Sequence, residues 1–127
     1  AAMQAIGSYE GGHMLFIGLG TGMGTAIVGE NCVFPTELAH LPYRKKKTFE
    51  EYVGNESLEK FGKKRWRLFV ADVVKRLYAA TGVDYIVIGG GNAKQLKDVP
   101  EYVRIGGNRN AFTGGCRLWE EFSGVVS

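Results

Sequence analysis

Short apolar runs in the first third of the chain predict β-strands. Residues 13–17 are apolar after the first position, residues 25–28 are rich in β-branched side chains, and residues 32–34 follow a turn at 29–31. Because the connections between them are short, the three strands are expected to form an antiparallel meander. Pro35 is expected to end the third strand, since proline cannot donate a backbone hydrogen bond.

In the middle of the chain, apolar and charged residues follow a helical period. Between residues 57 and 81, apolar side chains recur every three or four positions, which places them on one face of an amphipathic helix. This apolar stripe consists of Leu58, Phe61, Trp66, Phe69, Val70, Val73 and Leu77. A shorter helix is expected to begin after Thr48, because Glu51 follows at capping-box spacing. Gly54 and Gly82 are expected to end the two helices.

The remaining pattern completes an α/β fold. Residues 84–88 are apolar after the first position, which is typical of a strand covered on both faces of a sheet. Short helices are predicted at 92–96 and 112–122, an edge strand at 102–105, and a helix at 1–9. The order predicts a mixed sheet, an antiparallel meander followed by parallel strands, with helices on its faces. A length of 127 residues fits one domain, 1–127.

The net charge of +3 conceals a basic middle. Residues 44–78 contain eleven Lys or Arg and five Asp or Glu, and they include a charged loop predicted at 44–47. The stretch 63–67 could hold phosphates while Trp66 stacks on a base. Trp66 lies on the apolar stripe, however, so the basic side chains are interpreted as the solvated face of a helix. We therefore expect no nucleic-acid partner.

The rest of the composition excludes several other classes. No apolar run approaches the roughly 20 residues of a membrane span, so no membrane association is expected. Cys32 and Cys116 are far apart and form no CxxC motif, which excludes a cysteine zinc site. Two isolated cysteines favour a reducing compartment or allow at most one disulfide. No signal peptide is recognised, and a cytoplasmic location is expected.

Glycine is the unusual component, and its first cluster suggests a ligand-binding turn. Nineteen of 127 residues are glycine, about twice the average share of ~7%. Gly18, Gly20, Gly22 and Gly24 alternate after the first predicted strand, in neither a dinucleotide-binding nor a Walker A pattern. The backbone of Gly20, Thr21 and Gly22 could present N–H groups to phosphate oxygens. A tight hairpin without a ligand is the alternative.

A second glycine cluster follows the strand at 84–88. Gly89, Gly90, Gly91 and Asn92 form a strand-to-helix turn, where backbone amides favour an anion or a flat ring. Close packing of a helix on the sheet is the alternative interpretation. Both glycine turns follow the carboxyl ends of strands, where ligands bind in open α/β sheets. Two such turns in one small domain predict a shared ligand.

Residues 36–40 carry the third candidate, a carboxylate and an imidazole three positions apart. On a helical turn, Glu37 and His40 share one face. Together they can donate and accept hydrogen bonds with the vicinal hydroxyls of a sugar. The alternative is a solvated pair in a surface turn. His13, at the start of a strand, is interpreted as structural.

The three motifs in this order, residues 18–25, 36–40 and 88–92, resemble the C-terminal lobe of ROK-family sugar kinases, most of all the polyphosphate glucokinase branch. That family has the actin-like ATPase fold, related to ribonuclease H. The resemblance implies a phosphoryl donor, ATP or polyphosphate with Mg²⁺, and a sugar acceptor. The residues it implies for phosphate contact are Gly20, Thr21 and Gly22; for adenosine, Gly89, Gly90, Gly91 and Asn92; and for sugar hydroxyls, Glu37 and His40.

By the same resemblance, the reaction is phosphoryl transfer to a hexose, glucose above all, by a homo-oligomer. Ala39 stands where the family usually has glycine, and the family's cysteine-rich zinc motif is absent, so no zinc is expected. The chain begins after the position of the family's catalytic aspartate, and its first phosphate loop, Asp-x-Gly-Gly-Thr, is not found. We therefore expect a fragment that is inactive by itself. The alternative is a stand-alone, non-catalytic binding or assembly module.

Overall fold

A computed structural model describes residues 9–30 and 32–106. The helix predicted at 112–122, nearly all of the helix predicted at 1–9, and Cys116 lie outside this range. Across the part that is described, no helix is long and apolar enough to cross a membrane.

The described residues contain seven strands: β1 Met14–Leu19, β2 Met23–Gly29, β3 Cys32–Thr36, β4 Pro42–Arg44, β5 Lys47–Thr48, β6 Tyr85–Gly89 and β7 Val103–Ile105. Five of them form a mixed sheet in the order β3-β2-β1-β6-β7. The strands β1, β2 and β3 pair antiparallel as a meander, whereas β6 runs parallel to both β1 and β7. A separate hairpin pairs β4 with β5. The predicted mixed α/β sheet is confirmed.

Two α-helices and two 3₁₀ helices connect the strands: α1 Phe49–Val53, α2 Asn55–Thr81, and the 3₁₀ helices Leu38–His40 and Ala93–Gln95. The capping box at the start of α1 is formed, because the Thr48 hydroxyl accepts from the Glu51 N–H and the Glu51 side chain accepts from the Thr48 N–H. Gly82 ends α2 with a φ of 67°. Both of these predictions are confirmed.

The core lies between the sheet and α2. Apolar residues of β1 and β6 face the buried stripe of the helix, and α1 closes one end of this layer. Trp66 is fully buried, and its indole Nε1–H donates to the Val53 carbonyl at 2.9 Å. This bond attaches α2 to the end of α1. It also satisfies a buried carbonyl, which would be costly to leave without a donor. The opposite face of the sheet is also buried, around Met14, Phe16 and Val87.

Four local predictions are wrong or incomplete. Pro35 does not end β3: it pairs with Ala26 within the strand, which is tolerated because β3 is an edge strand. The predicted loop at 44–47 is part of the β4–β5 hairpin. The helix predicted from 57 starts at Asn55 and is interrupted at Gly62, whose φ of 82° and ψ of 166° are not helical. Only residues 93–95 of the helix predicted at 92–96 form, as a 3₁₀ turn.

A polar cluster attaches the β4–β5 hairpin to α2. The Tyr43 hydroxyl donates a hydrogen bond to Asp72, and Arg44 and Arg76 lie 3.3 and 3.1 Å from the same carboxylate. The bond from Tyr43, aided by the two arginines, lowers the pKa of Asp72. Burial and the neighbouring Asp72 raise the pKa of Tyr43. This cluster orients the hairpin that leads into α1.

Candidate functional site

The strand register places the two glycine clusters side by side. β1 and β6 are parallel neighbours, with Gly18 opposite Gly89, so the turns after them leave the same edge of the sheet. Gly90 has a φ of 90°, and a Cβ there would lie 2.3 Å from the Leu19 carbonyl oxygen. Only glycine fits this close crossing of two backbones. The edge is therefore a compact surface made largely of main chain.

Asn92 joins these two turns directly. Its backbone N–H donates to the Leu19 carbonyl at 3.0 Å, and its side-chain Nδ2 donates to the Gly20 carbonyl at 3.2 Å. The same Nδ2 lies 3.3 Å from Oδ1 of Asn55, whose own backbone N–H donates to the Thr21 carbonyl at 3.1 Å. The hairpin is thus held from two sides by asparagines that are distant in sequence.

The hairpin at residues 20–22 retains unused donors. The Gly20 N–H donates to the Gly22 carbonyl at 3.1 Å, and the Met23 N–H donates to the Glu50 carboxylate at 3.1 Å. Within residues 9–30 and 32–106, the N–H groups of Thr21 and Gly22 have no hydrogen-bond partner. A Cβ added at Gly20 would meet nothing within 4 Å. The hairpin therefore offers bare backbone donors, with open space at Gly20 and the Glu50 carboxylate against Gly22.

Helix α1 connects this hairpin to the Glu37–His40 turn. The Phe49 N–H donates to the Leu41 carbonyl at 3.0 Å, one residue beyond His40, while Glu50 reaches the hairpin. Glu37 Oε2 and His40 Nε2 lie 3.1 Å apart, and both side chains are largely exposed. The structure thus brings together the two side chains predicted to share a face.

A polar cleft of about 590 Å³ opens between the hairpin, α1 and the beginning of α2. Its lining includes Thr21, Gly22, Glu50, Asn55 and Ser57. Ser57 is 3% exposed, and its hydroxyl is the one buried side-chain polar atom in the described part of the chain without a hydrogen-bond partner. The cleft therefore combines free backbone donors and a hydroxyl with three carboxylates and two lysine ammonium groups.

Sequence reasoning missed Glu50 and Asn55 as members of this site. Glu50 contacts Met23, 27 positions earlier, and Asn55 contacts Asn92, 37 positions later. In the sequence, Glu50 is explained by the first turn of a capped helix, where a negative charge interacts favourably with the helix dipole. Neither residue carries a local sequence signal that points to a glycine hairpin.

Comparisons with known proteins support the fold. No protein-family profile matches the sequence, and no curated protein gives a significant match. Among solved structures, the chain is similar to the inorganic polyphosphate/ATP-glucomannokinase of Arthrobacter sp. strain KM, with a TM-score of 0.72 and 19% identity over 94% of this chain and 53% of that one. It is also similar to a ROK family glucokinase from Streptomyces griseus in complex with glucose and AMPPNP, with a TM-score of 0.74 and 14% identity over 93% of this chain and 65% of that one.

A third similar structure is the ROK hexokinase from Thermus thermophilus, with a TM-score of 0.73 and 14% identity over 98% of this chain and 64% of that one. The chain thus spans between about half and two thirds of the length of these proteins. At such low identity, the likeness concerns the fold. The chain has the fold of a part of the ROK-family sugar kinases, the actin-like ATPase fold, as the three motifs predicted.

Proposed function

We propose that this chain is the donor- and sugar-binding lobe of a ROK-like sugar kinase, which transfers a phosphoryl group from ATP or polyphosphate to a hexose such as glucose. The observation that carries this proposal is that three separate motifs follow the carboxyl ends of β1, β3 and β6, which lie at the same end of the sheet. Asn92 attaches the second glycine turn to the hairpin, and α1 attaches the Glu37–His40 turn to it. The similar structures include a kinase in complex with glucose and AMPPNP.

In this proposal, the hairpin binds the phosphates of the donor. The N–H groups of Thr21 and Gly22 donate to phosphate oxygens, and the absence of a side chain at Gly20 leaves room for close approach. The turn of Gly89, Gly90, Gly91 and Asn92 supports the adenosine, and open space at Gly91 is compatible with a flat ring.

The charge of Glu50 bears on the form of the donor. Its carboxylate accepts from the Met23 N–H at the edge of the hairpin. A negative group so close to the phosphates opposes a bare polyanion and favours one that carries a cation. Mg²⁺ bound to the donor would neutralise phosphate charge during transfer.

Glu37 and His40 bind hydroxyls of the sugar in this proposal. Ala39, where the family usually has glycine, is 4% exposed and packs into the core next to the sheet. Its methyl group therefore contributes to the core, and the pair of Glu37 and His40 still forms around it. This supports a working sugar site in spite of the substitution.

Transfer to a hydroxyl depends on positioning and on a group that accepts the hydroxyl proton. The family's catalytic aspartate and first phosphate loop are not found in this sequence. We therefore predict that the isolated chain does not phosphorylate glucose. We propose that it acts together with a second lobe that supplies these two elements. Homo-oligomerisation and a cytoplasmic location remain predictions.

The test uses a chimera that joins this chain to a complete N-terminal lobe of a ROK glucokinase. We expect Gly20→Ala to raise the KM for ATP about tenfold or more, because its methyl group occupies the donor's space, and to leave the KM for glucose nearly unchanged. Gly29→Ala is the matched control, since its Cβ would make only an ordinary 3.4 Å contact with His13 at the other end of β2.

Glu37→Gln should show the reverse pattern, with a raised KM for glucose and an unaltered KM for ATP. If neither Gly20→Ala nor Glu37→Gln changes either KM in an active chimera, the assignment of these motifs is wrong. Glucose phosphorylation by the isolated chain, free of contaminating kinase, would refute the prediction that it is inactive alone. If no chimera binds nucleotide or sugar, the alternative of a non-catalytic module with the kinase fold is favoured.

A further inference from the structure

An apolar groove on α2 lies apart from the candidate site. It has a volume of about 370 Å³ and is bordered by α2 on one side and by residues 96–100 on the other. Ile88 and Val103, at the ends of β6 and β7, form part of its lining. None of the residues assigned above to phosphate, adenosine or sugar lines it. The apolar lining comprises Leu68, Val70, Ala71, Val74, Ile88, Leu96, Val99, Pro100 and Val103.

Part of this apolar surface is open to water. Leu68 is 66% exposed, more than any other large apolar side chain in the described residues. On α2, Leu68 lies one turn from Lys64 and Arg65 in one direction and from Ala71 and Asp72 in the other, so this exposed apolar side chain is flanked by charged residues. Its position at the mouth of a groove suggests that the groove has an occupant.

The groove is bordered by positive charge. Lys64, Arg67 and Lys97 line it together with a single acid, Asp98. Arg67 is held in place, because its Nε donates to the Gln95 carbonyl at 2.5 Å. Its guanidinium has further donors for a planar anion. An apolar floor with a basic border is complementary to a molecule that has an apolar body and one anionic head group.

We propose that this groove binds a small amphipathic anion, an aliphatic or aromatic carboxylate, sulfonate or phosphate ester. The volume of the groove lies near the lower end of the range for small-molecule sites, about 300–1,000 Å³. A groove of this size suits a small molecule better than a segment of another protein. The apolar body contacts α2 and the 96–100 segment, and the head group contacts Lys64, Arg67 and Lys97. The site is independent of the proposed kinase function.

The experiment titrates the full chain with 8-anilinonaphthalene-1-sulfonate, followed by fluorescence, and with sodium octanoate as competitor. Ala71→Glu places a carboxylate in the groove, and Ala79→Glu is its matched control on an exposed position of the same helix. Lys64→Gln removes one border charge, and Lys75→Gln is its control. Circular dichroism verifies that each variant keeps the helical content of the parent chain.

We expect Ala71→Glu to weaken probe binding about tenfold or more and Lys64→Gln about threefold, through like-charge repulsion and lost attraction. The two control variants should bind as the parent does, and octanoate should displace the probe. Equal affinity in Ala71→Glu and Ala79→Glu would overturn the proposal. Displacement by AMPPNP with Mg²⁺ would assign the groove to nucleotide and also overturn it.

Light scattering on the same variants tests the other occupant, a second copy of this chain. If Ala71→Glu converts a dimer to a monomer and leaves probe binding unchanged, the groove is an interface and not a ligand site. The small-molecule site is supported if both glutamate variants keep the oligomeric state of the parent chain and only Ala71→Glu loses probe binding.

Discussion

Two adjacent glycines provide a sharp test of how the candidate site is built. At Gly90 the φ of 90° is in a region that alanine avoids, and a Cβ would lie 2.3 Å from the Leu19 carbonyl oxygen and 2.8 Å from its nitrogen. At Gly91 a Cβ would meet nothing within 4 Å, and φ lies outside the left-handed region. The same substitution is therefore expected to have opposite effects at neighbouring positions.

The expected magnitudes follow from these contacts. A left-handed residue with a side chain costs about 1–2 kcal/mol. The clash at Gly90 is with backbone atoms that cannot rotate away, and an overpacked site of this kind costs about 1–3 kcal/mol more. Gly90→Ala should therefore lower the free energy of unfolding by about 2–5 kcal/mol. Gly91→Ala should raise it by about 0.4–1 kcal/mol, because alanine restricts the unfolded chain.

Urea denaturation followed by far-UV circular dichroism measures both effects. With a urea dependence of about 1–3 kcal/mol per molar for a small protein, Gly90→Ala should move the midpoint down by about 0.7 M or more. Gly91→Ala should move the midpoint up by about 0.1–1 M. A stability of Gly90→Ala within about 0.5 kcal/mol of the parent, or an equal loss in both variants, would refute the close crossing of β1 and β6.

Two further predictions concern side chains that anchor α2. Trp66→Phe leaves the buried Val53 carbonyl without its donor and should cost about 2–4 kcal/mol, measured by urea denaturation; an unchanged midpoint would contradict the bond. The hydrogen bond from Tyr43, with the neighbouring arginines, lowers the pKa of Asp72. The ionised carboxylate therefore contributes to the free energy of unfolding above about pH 4, and this contribution is lost as the pH falls through the lowered pKa. Asp72→Asn should therefore destabilise the chain at pH 7 but flatten its acid transition, and a parallel pH profile in both proteins would argue against this.

Local sequence patterns are sufficient for most of the elements. The three apolar runs, the helical period between 57 and 81, and the capping box of Thr48 and Glu51 concern residues that are neighbours in sequence, and all of them form. The lack of polar alternation at 84–88 predicts a strand inside the sheet, and β6 is buried along its whole length. Such features depend on short-range sterics and on which face is apolar, so they can be read without the fold.

Other local features depended on context that no short pattern contains. Pro35 is compatible with β3 only because β3 lies at the edge of the sheet, where the missing N–H faces no neighbouring strand. At Gly62 the helix is interrupted by a positive φ. Glycine allows this φ but also fits a continuous helix, so the periodic pattern of apolar residues predicts no break there. The β4–β5 hairpin is stabilised by Asp72 of α2, which is far away in sequence.

For the candidate site, the sequence by itself determined the residue types: bare glycines after two strands, and a carboxylate with an imidazole on one turn. Tertiary structure decided which contacts hold the two glycine turns together. The parallel pairing of β1 and β6 sets Gly18 opposite Gly89, Asn92 and Asn55 hold the hairpin, and Glu50 reaches it from α1. These contacts join residues 27 to 72 positions apart, and their geometry arises from sheet register and helix packing, which local propensity does not encode.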